Sequence, residues 1–286
     1  MKSNKKQRKC PFSPLTLLAA LLLIGGMIAV VLPVLQWDAE VSAEAGEYDQ
    51  LREQNRQTEA CETVEEETLN QHIVPPISLA EEDSAVQQPE NTGGERAAQT
   101  SVDLSAYRAQ NPDFIAWLRI PGTNVDDPDD YLNHTFSGKS SVVGTLFSLA
   151  DADYQAPGRN IAIYGHHLRS SGEKMFTSLM RYKDADFYAG HETVLLDTLY
   201  ESGSYRIFAV LNFHSSEWDA SQADFENDAA FRDFIQYAKR NALYDTGVTV
   251  GAEDSILTLI TCDRSYGGKA GRLAVVAVLE KSRRNL

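Results

Sequence analysis

Cysteine is scarce in this chain. Cys10, Cys61 and Cys262 are the only three in 286 residues, and they fall in three different segments. That argues against a disulfide framework. No Cys/His cluster has zinc-like spacing, so no metal is expected. The glycines at 267, 268 and 271 are not followed by a Lys-Ser/Thr pair, which excludes a phosphate cradle. Basic charge is also short: the net charge is −15, with no basic stripe through the C-terminal part, so nucleic acid is excluded as a partner. No internal repeat is visible.

What charge there is lies unevenly. Residues 1–10 hold five basic side chains, Lys2, Lys5, Lys6, Arg8 and Lys9. Leu15 to Leu35 follows as an apolar stretch, long enough as a helix to cross a hydrocarbon core of about 30 Å. The positive-inside rule then puts residues 1–10 in the cytoplasm, makes 11–37 a transmembrane anchor and leaves the rest outside, a single-pass protein of the cell membrane. A cleaved signal peptide is the rival, with Val41-Ser42-Ala43 as its cleavage site; the apolar run exceeds the usual signal core of ~7–15 residues, which favours an uncleaved anchor. Residues 38–100 carry 16 acidic side chains against three Arg, with few aromatics. Such a segment buries too little surface to offset its ordering entropy, and it reads as an acidic, disordered stalk with room for short helices around Glu44–Glu67. Cys61 would be an exposed thiol in the stalk, and Cys10 a candidate for acylation.

From residue 101 the pattern is that of a folded domain, 101–286. Leu104 and Tyr107 share one face of a short helix that Asn111-Pro112 stops. Phe114 to Ile120 alternates like a strand and turns at Pro121-Gly122-Thr123. Val142–Phe147, Asn160–Tyr164, Thr193–Thr198, Tyr205–Phe213, Ser255–Cys262 and Arg272–Leu279 also read as strands, and Lys174 to Tyr188 as mixed helix and loop. Phe225 to Ala242 is the clearest helix, with Phe231, Phe234, Ile235 and Ala238 on one face. Many short strands with Gly/Pro turns predict a mainly β fold, a closed barrel decorated by helices.

Three strand ends carry chemistry. Ser255 to Thr261 runs into Cys262; Asn160 to Tyr164 empties into Gly165-His166-His167; Arg272 opens the last apolar strand. A thiol, an imidazole and a guanidinium form a set able to attack an acyl group: nucleophile, proton carrier and fixed positive charge. From chemistry alone His166 and His167 are equal candidates, since adjacent residues of an extended segment point opposite ways. Arg264 competes with Arg272 but would sit in the loop. Asp263, next to the cysteine, is not assigned a triad role; tuning of the loop and contact with the incoming amine stay open for it. His134, His191 and His214 read as ordinary surface residues, and His72 falls in the stalk.

At these residues the chain resembles the sortases, and class B sortases most closely. The matching pieces are Tyr164-Gly165-His166, Thr258-Leu259-Ile260-Thr261-Cys262, Gly271-Arg272-Leu273 and Trp117-Leu118-Arg119-Ile120-Pro121-Gly122-Thr123, within roughly Leu104 to Lys281. The resemblance implies a closed sortase-type barrel of about eight strands, with an N-terminal helix and a helix in the connection before the cysteine strand. It selects His166 over His167 and Arg272 over Arg264, so that Cys262, His166 and Arg272 are the expected catalytic residues, with no cofactor. It also implies a membrane-anchored cysteine transpeptidase that cuts a C-terminal sorting signal after Thr and passes the acyl group to an amine of lipid II or peptidoglycan. The alternatives are a pilus-polymerising sortase, a secreted cysteine peptidase and a non-catalytic anchored binding domain. Two departures bear on substrate preference: Ile260 stands where class B sortases usually have Ser, and the stretch from Asn124 to Asp130 is shortened, leaving no clear counterpart of the Asn linked to the site in relatives.

Overall fold

A computed structural model describes residues 104–285 except 124, 130–133, 142 and 169–174, together with positions 29, 31–33, 35, 36, 39, 46, 47, 49–54 and 56. In chain order the elements are α1 (Ser105–Gln110), β1 (Ala116–Arg119), β2 (Asp126–Asp129), β3 (Asn160–Tyr164), a 3-10 helix (Phe176–Lys183), α2 (Ala185–Ala189), β4 (Thr193–Thr198), β5 (Glu201–His214), α3 (Asp228–Arg240), β6 (Ile256–Cys262), α4 (Arg264–Gly267) and β7 (Gly271–Arg284). The seven strands form one sheet in the order β2-β1-β4-β5-β7-β6-β3. Every neighbouring pair is antiparallel except β3 with β6, which is parallel.

The mainly β architecture expected from the sequence is observed, with its N-terminal helix α1 and its helix α3 before the cysteine strand. Among the described residues there are seven strands rather than about eight, and β2 and β3 stand at the two ends of the sheet without pairing to each other. β5 and β7 run 14 residues each, longer than the apolar stretches that announced them. Two register shifts in β5, at Ser204/Tyr205 and Ile207/Ala209, let so long a strand bend with the sheet. β2 was not foreseen: Asp and Pro disfavour strands, but hydrogen bonding to β1 outweighs that preference. Val142–Phe147 forms only a bridge from Phe147 to Tyr164 among its described residues.

Alternation along the strands sorts side chains into two cores, one on each face of the sheet. Leu257 and Leu259 of β6 and Leu273, Val275 and Ala277 of β7 face inward with Trp117, Phe176, Leu179 and Tyr182. Ile256, Ile260, Ala274 and Val276 face outward, where α3 lays Phe231, Phe234, Ile235 and Ala238 over them, with Trp218 at the side. α3 begins where Asn227 accepts from the backbone N–H groups of Ala229 and Ala230 at 2.9 and 3.0 Å, a side-chain cap that sets the helix start three residues later than periodicity suggests. Asn160 is buried yet satisfied: its amide donates to the carbonyls of Ala220 and Gln222, and its oxygen accepts from Thr258. That ties the 220–223 segment to β3.

Two expectations for the N-terminal part need revision. Within the segment read as a stalk, residues 49–54 are helical and Leu51 packs into the inner core at 6 % exposure, so this piece is docked on the domain. The single-pass membrane location is corrected: among the described residues no helix is long and apolar enough to cross a membrane. Most of the apolar run 15–35, the basic residues 1–10, Cys10, Cys61 and His72 lie outside the described residues.

Candidate active site

The parallel register of β3 and β6 pairs Asn160 with Ile256 and, step by step, Tyr164 with Ile260. Two further bonds carry it past the strand end: the Gly165 N–H donates to Ile260 O at 3.1 Å, and Thr261 Oγ1 donates to Gly165 O at 2.8 Å. β3 ends at Tyr164; continued past that end, the same register would set His166 opposite Cys262. On the other side Cys262 pairs with Arg272, and Arg272 with Phe213 of β5. Cys262, Arg272 and Phe213 therefore form a row across three strands, and His166 follows just past the end of the fourth, β3. Period-two alternation from Tyr164, Ile260 and Ala274 puts the row on the outer, α3-covered face.

Cys262 is a free thiol and half-buried. His166 and Arg272 are half-buried as well. Arg272 Nη1 donates to the carbonyls of Lys269 and Gly271, both at 2.9 Å, and no carboxylate pairs with it among the described residues. Its charge reaches Tyr164, whose hydroxyl stays above its usual range because burial, with Asp219, outweighs the opposing pull of Ser221 and Arg272. Arg264, the competing guanidinium, is exposed at the start of α4. His167 plays a different part, since its Nδ1 donates to the carbonyl of Cys262 at 3.0 Å and so holds the backbone of the thiol-bearing residue. Gly165 between β3 and His166 has no space for a side chain, because a Cβ would stand 2.6 Å from Leu146 and 2.7 Å from Phe176.

Among the described residues, the other histidines lie outside this row. His191 is half-buried, stacks on Phe187 at 4.0 Å and donates from Nδ1 to Phe187 O. His214 ends β5 and bonds Ser216, and His134 is exposed. A cleft of about 270 Å³ lies along the first half of β3, lined in part by Asp151, Asp153, Tyr154 and Asp219; Cys262 does not line it.

Sequence reasoning gave Asp263 no triad role, only tuning of the loop or contact with the incoming amine, and did not foresee its burial. It is fully buried, its carboxylate takes a hydrogen bond and an ion pair from Lys183, and it caps α4 through Ser265 N at 3.1 Å and Ser265 Oγ at 2.5 Å. The Asp-x-Ser spacing at 263–265 is a helix-cap signal that could have been noticed. Nothing local points to Lys183, 80 positions away. Burial pushes the Asp263 carboxyl up, but Lys183 and Ser265 outweigh it and hold the group below the usual carboxylate range. A lowered folded pKa means the stabilisation is complete above that usual range and is lost as pH falls through the lowered value. The gap in thermal midpoint between the wild type and Asp263→Asn should thus be widest near neutral pH and close in acid, as scanning calorimetry across pH would record. A gap independent of pH would show that the charge does not matter.

A sortase-domain family model matches residues 118–280, more than half of the chain, and the chain belongs to that family, the sortases, which are cysteine transpeptidases. Within it, the chain is 28% identical over 180 residues to sortase B of Listeria monocytogenes, covering 60% of this chain and 72% of that one. Among solved structures, the Staphylococcus aureus sortase B–substrate complex superposes with a TM-score of 0.58 at 26% identity, covering 62% of this chain and 84% of that one. A sortase B complexed with triglycine superposes at 0.57 and 27% identity, over 62% and 85%. The relatives and solved structures to which the chain is similar are thus sortases of class B.

Proposed function

We propose that the chain cleaves a C-terminal sorting signal after Thr and joins the new acyl end to an amine of lipid II or peptidoglycan, with Cys262 as nucleophile, His166 as proton carrier and Arg272 as the group that stabilises developing negative charge. The observation that carries this is the register row in which Cys262 has Arg272 as its partner on one side and the continuation of β3 to His166 on the other. The thiolate adds to the Thr carbonyl, and the negative charge that forms on its oxygen is met by a guanidinium that is permanently charged and shared with no carboxylate among the described residues. The C–N bond breaks, His166 protonates the leaving amine, and a thioester remains on Cys262. The acceptor amine then adds to the thioester, gives its proton to His166, and expels Cys262 as thiolate. The solved relatives with a substrate and with triglycine support a peptide donor and a short amine acceptor.

The test uses the full chain with peptides of Leu-Pro-x-Thr-Gly and Asn-Pro-x-Thr-Asn type, with and without triglycine and a diaminopimelate-containing stem peptide. Mass spectrometry should find cleavage after Thr, a thioester on Cys262, and transfer to an added amine. Hydrolysis that ignores every amine would point to a peptidase instead, and binding without cleavage would sink the catalytic reading.

A further inference from the structure

Asp263 follows the nucleophile directly, and the reaction described above does not use its carboxylate. That carboxylate is turned to Lys183, the last residue of the 3-10 helix, and to Ser265. The 3-10 helix is anchored by Phe176, Leu179 and Tyr182, which are fully buried in the inner core. Lys183 therefore pins Asp263 to the body of the domain.

The backbone of Asp263 in turn is tied to Arg272. Its N–H donates to Gly271 O at 3.0 Å, and the same oxygen accepts from Arg272 Nη1 at 2.9 Å. Its carbonyl lies so close to Gly271 that a Cβ there would stand 2.3 Å away. Wherever Asp263 goes, Gly271 and the guanidinium that it receives must follow. We propose that the Lys183–Asp263 ion pair is a positioning device, which holds the Arg272 guanidinium beside the Cys262 thiol by fixing the β6–β7 loop. Asp263 and Lys183 are then positioning residues, acting through Arg272 rather than on the substrate. Losing the Lys183 charge leaves the Asp263 carboxylate buried and uncompensated, and losing the Asp263 charge releases the loop from the partly exposed Lys183. The inference rests on the reading of Arg272 as the charge-stabilising group.

The test needs no sorting-signal peptide. Cys262 in the full chain is alkylated with iodoacetate and with iodoacetamide, and mass spectrometry of the Cys262 peptide separates it from Cys10 and Cys61. The ratio of the two rates reports a fixed cation beside the thiol, because only iodoacetate is an anion. Arg272→Ala should lower the ratio by about threefold or more. Asp263→Asn removes a negative charge, so by its direct field alone it would raise the ratio. The proposal expects the opposite: a fall towards the Arg272→Ala value, and no further fall when Asp263→Asn is added to Arg272→Ala. Lys183→Met/Asp263→Asn leaves no unpaired charge and should show the same fall, which keeps the test decisive if Asp263→Asn folds poorly. A ratio at or above wild type in both Asp263 variants overturns the proposal, as does an equal fall with and without Arg272. If Arg272→Ala leaves the ratio unchanged, the role of Arg272 fails and the positioning role with it. Ratios as expected, together with no processed peptide, would overturn the substrate reading and leave the positioning role standing.

Discussion

Cys262→Ala should abolish both cleavage and thioester formation, with a rate loss of roughly four orders of magnitude or more, while leaving the fold unchanged. The size follows from the chemistry, since no other group can form the acyl intermediate: Cys262 is the one free thiol among the described residues. The fold should survive because Cys262 is the last residue of β6 and only half-buried, so alanine removes little buried surface. Its backbone role also survives, since His167 bonds the Cys262 carbonyl and that carbonyl remains. Arg272→Ala should cost less, about two to three orders of magnitude, the usual loss for one group that stabilises an oxyanion. Steady-state kinetics against a cleaved peptide, beside near-ultraviolet circular dichroism, checks both. Residual thioester in Cys262→Ala would overturn the assignment of the nucleophile.

Gly271→Ala should be the most damaging single methyl added near the site. The new Cβ would stand 2.3 Å from Asp263 O, 2.5 Å from Gly267 N and 2.9 Å from Gly267 Cα. All three are backbone atoms, so no flexible side chain can swing away to relieve the contact. The loop also has little slack: Asp263 N–H is bonded to Gly271 O, and Ala270 O accepts from Ser215. Either the β6–β7 hairpin shifts, or β7 loses register at the position beside Arg272. Overpacking of this kind costs about 1–3 kcal/mol, so the thermal midpoint should drop by several degrees, and activity should fall together with it as Arg272 moves. An alanine variant with wild-type midpoint and rate would show that the loop is far looser than these contacts require.

Local sequence was informative where local forces dominate. The i, i+3, i+4, i+7 pattern of Phe231, Phe234, Ile235 and Ala238 marked α3, and alternation with β-branched residues marked β3, β4 and β6, because side-chain periodicity is intrinsic to those backbones. β2 was illegible because Asp126 to Asp129 carries residues that avoid strands, and only its partner β1 makes it one. The docked residues 49–54 were hidden for the same reason, since a polar segment with one buried Leu51 gives no pattern of its own.

For the site, the order of residues along the chain already named the chemistry. Tyr164-Gly165-His166, Thr261-Cys262 and Gly271-Arg272 each lie at a strand end, where a short spacing can be read without the sheet. Which strands pair, and in what register, is a property of the whole sheet. It is the parallel pairing of β3 with β6 that brings residues 166 and 167 to the end of β6 that carries Cys262, where His167 meets the Cys262 carbonyl. The sequence by itself therefore determined the kind of chemistry, the mainly β class and the family, since these rest on residue types and short spacings. Only the tertiary structure decided that Asp263 is buried against Lys183, that Gly271 has no space for a side chain and that Arg272 is shared with no carboxylate among the described residues. Each of these depends on atoms brought together from distant parts of the chain, and no short stretch of sequence encodes such a distance.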